Sequence, residues 1–353
     1  MTVQEGVTGA ADSGATRLRL ALDWTAGHLA GARIAAPRTL AACLLVGRPL
    51  GEALALAPRL FALCGSAQGI AARCAVAAAR GETPDPATLA RERQALLREV
   101  VGEHLWRLCL DWPARFGLPP RTTDFAIWRR RLLAGDALPL EALPAWEDFA
   151  AVAERLPRCP APPLPLLSPM AAAAWAEALA QACPEVVAVA PGWSGATWEA
   201  LARFAAAPAL ADGPRETGVV ARWQADPLVA GLWAEGRRPA ARLAARCLDL
   251  AALAPSLEDD ACPAAWIDAV PLGPDIGLAR VETARGTLLH LVQVREGRIA
   301  HYVMVAPTEW NFHPAGPCVR DLTGLAAGSR GEAERLAREV ALSLDPCVTL
   351  EFS

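Results

Sequence analysis

Apolar residues recur at helical spacing between residues 51 and 253, and this pattern predicts that most of the chain is helical. Residues 51–80 are rich in alanine and leucine but contain Pro58. We therefore predict a helix that ends just before Pro58 and a second helix that begins near Arg59. Residues 84–113 predict the longest helix, which starts at a Pro-Asp-Pro sequence and stops at Pro113.

Strand patterns lie on both sides of this helical part. Residues 17–36 predict a short hairpin. Residues 286–307 are rich in β-branched side chains on both sides of Glu296-Gly297, which predicts a second hairpin. A last helix is expected over residues 331–342. The predicted fold class is α+β, mainly helical, with a C-terminal β-hairpin.

The chain divides most naturally at a proline-rich segment. Residues 157–170 contain the sequence PRCPAPPLPLLSP, which is typical of a linker. Residues 1–156 then form a hairpin and helical part, and residues 171–353 form a second helical part with the C-terminal hairpin. The two parts can also pack as one large domain, since 353 residues are only a soft indication of two domains.

Composition and charge exclude several classes of protein. Hydrophobic residues make up 53% of the chain and charged residues 20%, which is typical of a globular protein. The net charge is −4 and no basic block is dense, so we expect no nucleic-acid partner. No run of about 18 apolar residues indicates a membrane span. The N-terminal residues lack a secretory pattern, so the expected location is cytoplasmic.

Ten cysteines are spread along the chain without any Cys-x-x-Cys pair. This absence excludes simple zinc ribbons and thioredoxin-like motifs, so a metal-thiolate site would have to combine distant cysteines. Two of them have unusual surroundings: Cys64 precedes a glycine, and Cys347 follows Asp-Pro near the end of the chain. Taken alone, each is also compatible with a buried core cysteine.

Several motifs occur in the same order as in one known family. Residues 282–311 read ETARGTLLHLVQVREGRIAHYVMVAPTEWN, and residues 342–347 read LSLDPC. Residues 44–65 read LLVGRPLGEALALAPRLFALCG. This order resembles the large subunits of nickel-iron hydrogenases, with their Gly-Arg-x-Pro and Cys-Gly elements, Arg-Gly, hairpin, Pro-Thr-x-Trp-Asn and Asp-Pro-Cys. The resemblance implies a reduced version of the large-subunit fold.

The resemblance also implies which metal ligands are kept. In the family, each of two Cys-x-x-Cys pairs supplies one terminal nickel ligand and one cysteine that bridges nickel and iron. This chain keeps the first position of each pair, Cys64 and Cys347, but has Ala67 and Leu350 at the second positions. Alanine and leucine cannot bridge metals, so we expect no nickel and no paired nickel-iron centre.

Other residues match positions around the family's metal site. Arg285 matches an arginine over the diatomic ligands of the iron, and Asp345 and Asp111 match carboxylates near that arginine. Thr308 and Asn311 lie in the Pro-Thr-x-Trp-Asn element. Judged without the motif, Arg285 could equally begin a surface strand, the aspartates could cap helices, and the last two could form an ordered turn.

With these differences from the enzymes, the chain resembles accessory proteins of hydrogenase maturation that retain the large-subunit outline. The resemblance implies a scaffold, rather than an enzyme, that transiently holds an Fe(CN)2(CO) fragment for the large-subunit precursor. A HypC-like chaperone and HypD are the other implied partners. The alternative is a metal-free interaction protein that mimics the large subunit and binds maturation factors.

Overall fold

The computed structural model describes residues 17–35, 42–61, 63–187, 193–258 and 262–353. Residues 1–16, which carry most of the N-terminal segment judged to lack a secretory pattern, lie outside the described residues. Within those ranges, no helix is both long enough and apolar enough to cross a membrane.

The predicted N-terminal hairpin is confirmed and belongs to a three-stranded sheet. Strands β1 (Arg17–Thr25) and β2 (His28–Ala35) pair antiparallel. Strand β7 (Thr349–Phe352) then pairs parallel with the start of β1, which gives the order β2-β1-β7. The sequence analysis did not predict β7. Its pairing ties the end of the chain, just after Cys347, to its beginning.

The second sheet has four antiparallel strands in sequence order. The predicted hairpin is confirmed as β5 (Gly286–Arg295) and β6 (Arg298–Val305). Two further strands were not predicted, β3 (Ile267–Gly273) and β4 (Ile276–Thr283). Every residue of β4 is buried, including charged ones, so neither alternation nor an unbroken apolar run marks it as a strand.

Fifteen α-helices are assigned within the described residues, and the predicted C-terminal helix is confirmed to within one residue at each end. In chain order they are α1 Leu50–Leu56, α2 Gly65–Ala79, α3 Pro86–Trp106, α4 Trp112–Phe116, α5 Thr122–Ala134, α6 Ala150–Arg155, α7 Ala172–Ala182, α8 Pro184–Val187, α9 Gly195–Ala206, α10 Val219–Arg222, α11 Pro227–Ala234, α12 Arg238–Leu253, α13 Pro307–Asn311, α14 Pro317–Leu322 and α15 Arg330–Ser343.

The prediction of a helix beginning near Arg59 is wrong. Pro58 lies in the first turn of a short 3-10 helix, Ala57–Leu60, and Phe61 then has an extended backbone. Helix α2 therefore begins only at Gly65, with Cys64 as its N-cap residue. This start leaves the backbone of Cys64 outside the regular helix.

The sequence analysis predicted that the longest helix stops at Pro113, and this prediction is also wrong. Helix α3 passes through a π-helical turn, Arg107–Asp111, into α4, which stops at Gly117 in the left-handed conformation. Pro113 sits in the first turn of α4. The wider turn before it accommodates a residue that cannot donate a backbone hydrogen bond.

Helix α2 lies directly on the four-stranded sheet. It is rich in alanine, and a Cβ atom at Gly277 of β4 would lie only 2.1 Å from the carbonyl oxygen of Ala75. The backbones of helix and strand are thus in contact, which requires small residues on both. This contact fixes α2, and with it Cys64, relative to the strands.

The proline-rich segment forms no helix and packs against the second part of the chain. The Cys159 amide donates to the Gly236 carbonyl at 2.8 Å, and Leu166 forms a parallel bridge with Glu216. The main apolar cluster includes residues from both sides of this segment, for example Leu105 and Leu250. A division of the chain at residues 157–170 stays a prediction.

Candidate functional site

Cys64 and Cys347 are far apart in the sequence, but both lie close enough to Arg285 to be affected by its charge. Cys64 caps α2, and Cys347 lies in the turn between α15 and β7. Both residues are partly exposed. Arg285 lowers the pKa of both thiols, and ionisation of Cys347 would raise that of Cys64. The two sulfurs therefore share one electrostatic environment.

Both thiols hold their protons strongly. Burial is the main cause that raises the pKa of Cys64 to about 12, and the neighbouring Cys347 and Glu99 add to it. Burial likewise raises the pKa of Cys347. Arg285 acts in the opposite direction on both. A metal that binds these cysteines must therefore displace their protons.

Each sulfur has one hydrogen-bonding side chain beside it. The Gln68 amide donates from Nε2 to the Cys64 sulfur at 3.6 Å. The Thr308 hydroxyl, in the first turn of α13, lies 3.2 Å from the Cys347 sulfur. Thr308 was singled out from the sequence and Gln68 was not.

Arg285 lies in the turn between β4 and β5 and is only 5% exposed. Its Nε donates to the backbone oxygen of Asp345 at 3.1 Å, and its Nη2 donates to Glu103 at 2.6 Å. Burial lowers its pKa, but Asp345 and Glu103 outweigh this and keep the pKa raised, so the side chain is charged. None of the hydrogen bonds found among the described residues uses Nη1.

Asp345 is held by three arginines. Arg107 donates from Nε at 2.5 Å and Arg246 from Nη2 at 2.9 Å, while Arg285 Nε lies 3.5 Å from the same carboxylate. Burial opposes ionisation, but these three charges hold the pKa of Asp345 well below its usual range. The carboxylate therefore joins the cysteine turn to the π-helical turn after α3 and to α12.

Among the described residues, no hydrogen bond or ion pair joins Asp111 directly to Arg285. Asp111 pairs with Arg107, which in turn binds Asp345. Besides Asp345, the carboxylate that pairs with Arg285 is Glu103 of α3, while Asp111 lies further along, in the π-helical turn. Asp111 is thus linked to the arginine through Arg107 and Asp345.

Asn311 acts on Arg285 through the backbone of a neighbouring loop. Its side chain accepts from the Thr217 amide at 3.0 Å and donates to the Thr217 carbonyl at 2.9 Å. Gly286, which follows Arg285, has φ +120°, and a Cβ there would lie 2.2 Å from Thr217 Oγ1. Asn311 thus fixes the loop that confines the Arg-Gly turn.

The second cysteine positions of the family supply no metal ligand in this fold. Ala67 is fully buried, and its amide donates to Glu99 at 3.0 Å. Leu350 lies on β7 and packs against the apolar cluster of the three-stranded sheet. Among residues 17–35, 42–61, 63–187, 193–258 and 262–353, no group of three or more His, Cys, Asp or Glu side chains could hold a metal ion.

Sequence reasoning missed much of the surroundings of the two thiols. Glu99 and Glu103 of α3 and Arg107, the first residue of the π-helical turn, are spaced four residues apart and so lie on one face. The Glu99 carboxylate also accepts a hydrogen bond from the Ser66 amide at 2.6 Å. Burial raises the pKa of Glu99 to about 7. The four-residue spacing could have indicated that these charged side chains share one face.

Comparison with known proteins gives consistent similarities. The family model for nickel-dependent hydrogenases matches residues 248–349. The chain is 33% identical to the hydrogenase expression/formation protein HoxV of Cupriavidus necator, with 89% of this chain and 91% of HoxV aligned. It is also 33% identical to the hydrogenase expression/formation protein HupK of Rhizobium leguminosarum, with 88% of each chain aligned.

The fold resembles that of solved hydrogenases. The reduced, active nickel-iron-selenium hydrogenase of Desulfomicrobium baculatum superposes with a TM-score of 0.61 at 14% identity, covering 92% of this chain and 95% of that chain. At this level of identity the similarity establishes the fold alone. The α+β architecture predicted from the sequence, a reduced large-subunit fold, is confirmed.

Proposed function

Because this chain belongs to the family of hydrogenase expression/formation proteins that includes HupK and HoxV, we propose that it transiently holds an Fe(CN)2(CO) fragment between Cys64 and Cys347. The fragment then passes to the precursor of a nickel-iron hydrogenase large subunit. The observation that carries this proposal is that two distant thiols lie within the electrostatic reach of one buried arginine.

The donor set suits the chemistry of this cargo. Thiolates are soft ligands for low-spin iron, and cyanide ligands carry electron-rich nitrogen atoms that accept hydrogen bonds. Arg285 is held through Nε and Nη2, so Nη1 remains to donate to such a nitrogen. Its positive charge also offsets the negative charge of an iron fragment bound by two thiolates.

The missing ligands favour a carrier that releases its cargo. Neither Ala67 nor Leu350 can add a thiolate to the two cysteines. The raised pKa values of Cys64 and Cys347 favour the return of protons when the iron leaves. We expect weak, reversible retention, no nickel and no catalytic turnover.

The proposed partners follow from this role. The fragment would arrive from a HypC-like chaperone and HypD and leave to the large-subunit precursor. Since the chain shares the large-subunit fold, it could present the fragment in surroundings similar to those of the acceptor.

A second candidate is a metal-free interaction protein that mimics the large subunit. One observation favours it, namely that both thiols are protonated in the absence of metal and no third donor joins them among the described residues. In that case the cysteines would be structural, and binding of maturation factors would depend on the outer surface.

Complementation of a host that lacks this protein separates the two functions. The carrier function predicts that Cys64→Ser and Cys347→Ser each abolish hydrogenase activity in cells while the variant protein still accumulates. Cys43→Ser, at an exposed cysteine, is the matched control and should restore full activity. Full activity with either site variant would leave the interaction protein as the remaining function.

A further inference from the structure

A line of three hydrogen bonds runs from the four-stranded sheet to Cys64. The Tyr302 hydroxyl on β6 lies 2.7 Å from Nδ1 of His290 on β5. His290 Nε2 lies 2.9 Å from Oε1 of Gln68 on α2, whose Nε2 donates to the Cys64 sulfur at 3.6 Å. Tyr302, His290 and Gln68 are at most 7% exposed. The proposed carrier function does not by itself require these three residues.

The chemistry of the groups sets the direction in which each one donates. Gln68 Oε1 can only accept, so His290 carries its proton on Nε2, and its Nδ1 accepts from the Tyr302 hydroxyl. Burial lowers the pKa of His290 to about 3, which keeps the ring neutral. A metal-bound thiolate cannot donate a hydrogen bond. Only this direction therefore keeps every link bonded once iron is present.

We propose that Gln68 is a positioning residue for Cys64, held by His290 and Tyr302 so that its N–H fixes the sulfur that receives the iron fragment. Thr308 gives the Cys347 sulfur a comparable partner at 3.2 Å. Each sulfur thus has one fixed hydrogen bond, and partners of this kind orient metal ligands in proteins. The purpose of this arrangement rests on the proposed function, but the positioning itself can be tested without iron.

Phenylarsine oxide, which bridges two neighbouring thiols, is a suitable probe for the full-length protein. Its arsenic-oxygen bond is replaced by two arsenic-sulfur bonds, the two thiol protons leave with the oxygen as water, and arsenic remains trivalent. Peptide mapping by mass spectrometry identifies the bridged pair. Gln68→Leu should weaken capture across Cys64 and Cys347 roughly tenfold. Gln293→Leu is the matched control, because Gln293 on β5 is equally buried, at 2% exposure, and should leave capture unchanged.

Nitrogen-15 NMR of histidine-labelled protein supplies a readout that a purely structural role would not move. We expect His290 as the neutral Nε2–H tautomer, and expect its ring nitrogens to shift in both Gln68→Leu and Tyr302→Phe. If Gln68→Leu does not fold, Tyr302→Phe decides the test, because it removes a single oxygen and should weaken capture in the same direction.

Unchanged capture in a folded Gln68→Leu variant, or His290 protonated on Nδ1, would overturn the positioning role. The carrier function fails in a different way. Protein that captures the arsenical through Cys64 and Cys347 but never carries iron in cells would refute the carrier and leave the role of Gln68 standing.

Discussion

Replacing Gly286 with alanine should destabilise the protein far more than the same change at Gly297. Gly286 has φ +120°, and an added Cβ would lie 2.2 Å from Thr217 Oγ1 and 2.7 Å from the Gly218 amide nitrogen. The backbone conformation and the forced movement of the loop together should cost about 4 kcal/mol. The same movement displaces Arg285 from Asp345.

Gly297 provides the matched control. It has φ +70° in the turn between β5 and β6, and an added Cβ would meet no atom within 4 Å. Gly297→Ala should therefore cost only about 1 kcal/mol, the ordinary cost of a left-handed alanine. Urea unfolding followed by circular dichroism measures both free energies. Equal losses of stability, within ~0.5 kcal/mol, would refute the argument that the loop confines the Arg-Gly turn.

Three further outcomes follow from the same geometry. Arg285→Lys should lower the free energy of unfolding by about 2–4 kcal/mol, because it leaves Glu103 poorly paired. The same change should reduce iron retention. Unchanged urea unfolding would contradict this prediction. Leu350→Cys should add no metal ligand because Leu350 packs into the apolar cluster of the three-stranded sheet; a bridge from this new cysteine to Cys64 with phenylarsine oxide would contradict it. The free energy of unfolding should fall as pH rises above about 9. Burial raises the folded-state pKa of cysteines such as Cys159 from 9.0 to about 12, so the unfolded chain loses its thiol protons first. Constant stability up to pH 11 would contradict this prediction.

Local patterns were sufficient to predict the parts of the fold that depend on them. The β5–β6 hairpin has β-branched residues on both sides of a two-residue Glu296-Gly297 turn, and both of these residues have positive φ. The last helix has a clear apolar face, and Ser329 caps it by accepting from the Glu332 amide.

Long-range contacts explain what local patterns could not predict. Strand β4 is buried on both faces, and its Arg280 pairs with Glu282 two residues later, so charged residues interrupt its apolar pattern. The four residues of β7 form a strand only because β1 lies beside them. Pairings between distant segments cannot be deduced from the sequence of either segment alone.

The candidate site, too, was predictable only in part. The resemblance to a known family named both cysteines, Arg285 and Asp345, and the charges of Asp345, Cys347 and Cys64 all act on the pKa of Arg285. It did not name Glu103, whose carboxylate pairs with Arg285 at 2.6 Å. Helical spacing could have revealed Glu103, but its contact with a residue 182 positions away depends on the packing of α3 against the turn after β4.

Infrared spectroscopy of the protein purified from a host able to mature hydrogenases tests the central claim most directly, because metal-bound carbon monoxide and cyanide absorb where proteins do not. We expect bands from one carbonyl and two cyanides in the wild-type protein and in Cys43→Ser. The bands should disappear in Cys64→Ser and in Cys347→Ser. Wild-type protein without these bands, or bands that persist in both site variants, would contradict the proposal that the two cysteines carry the iron fragment.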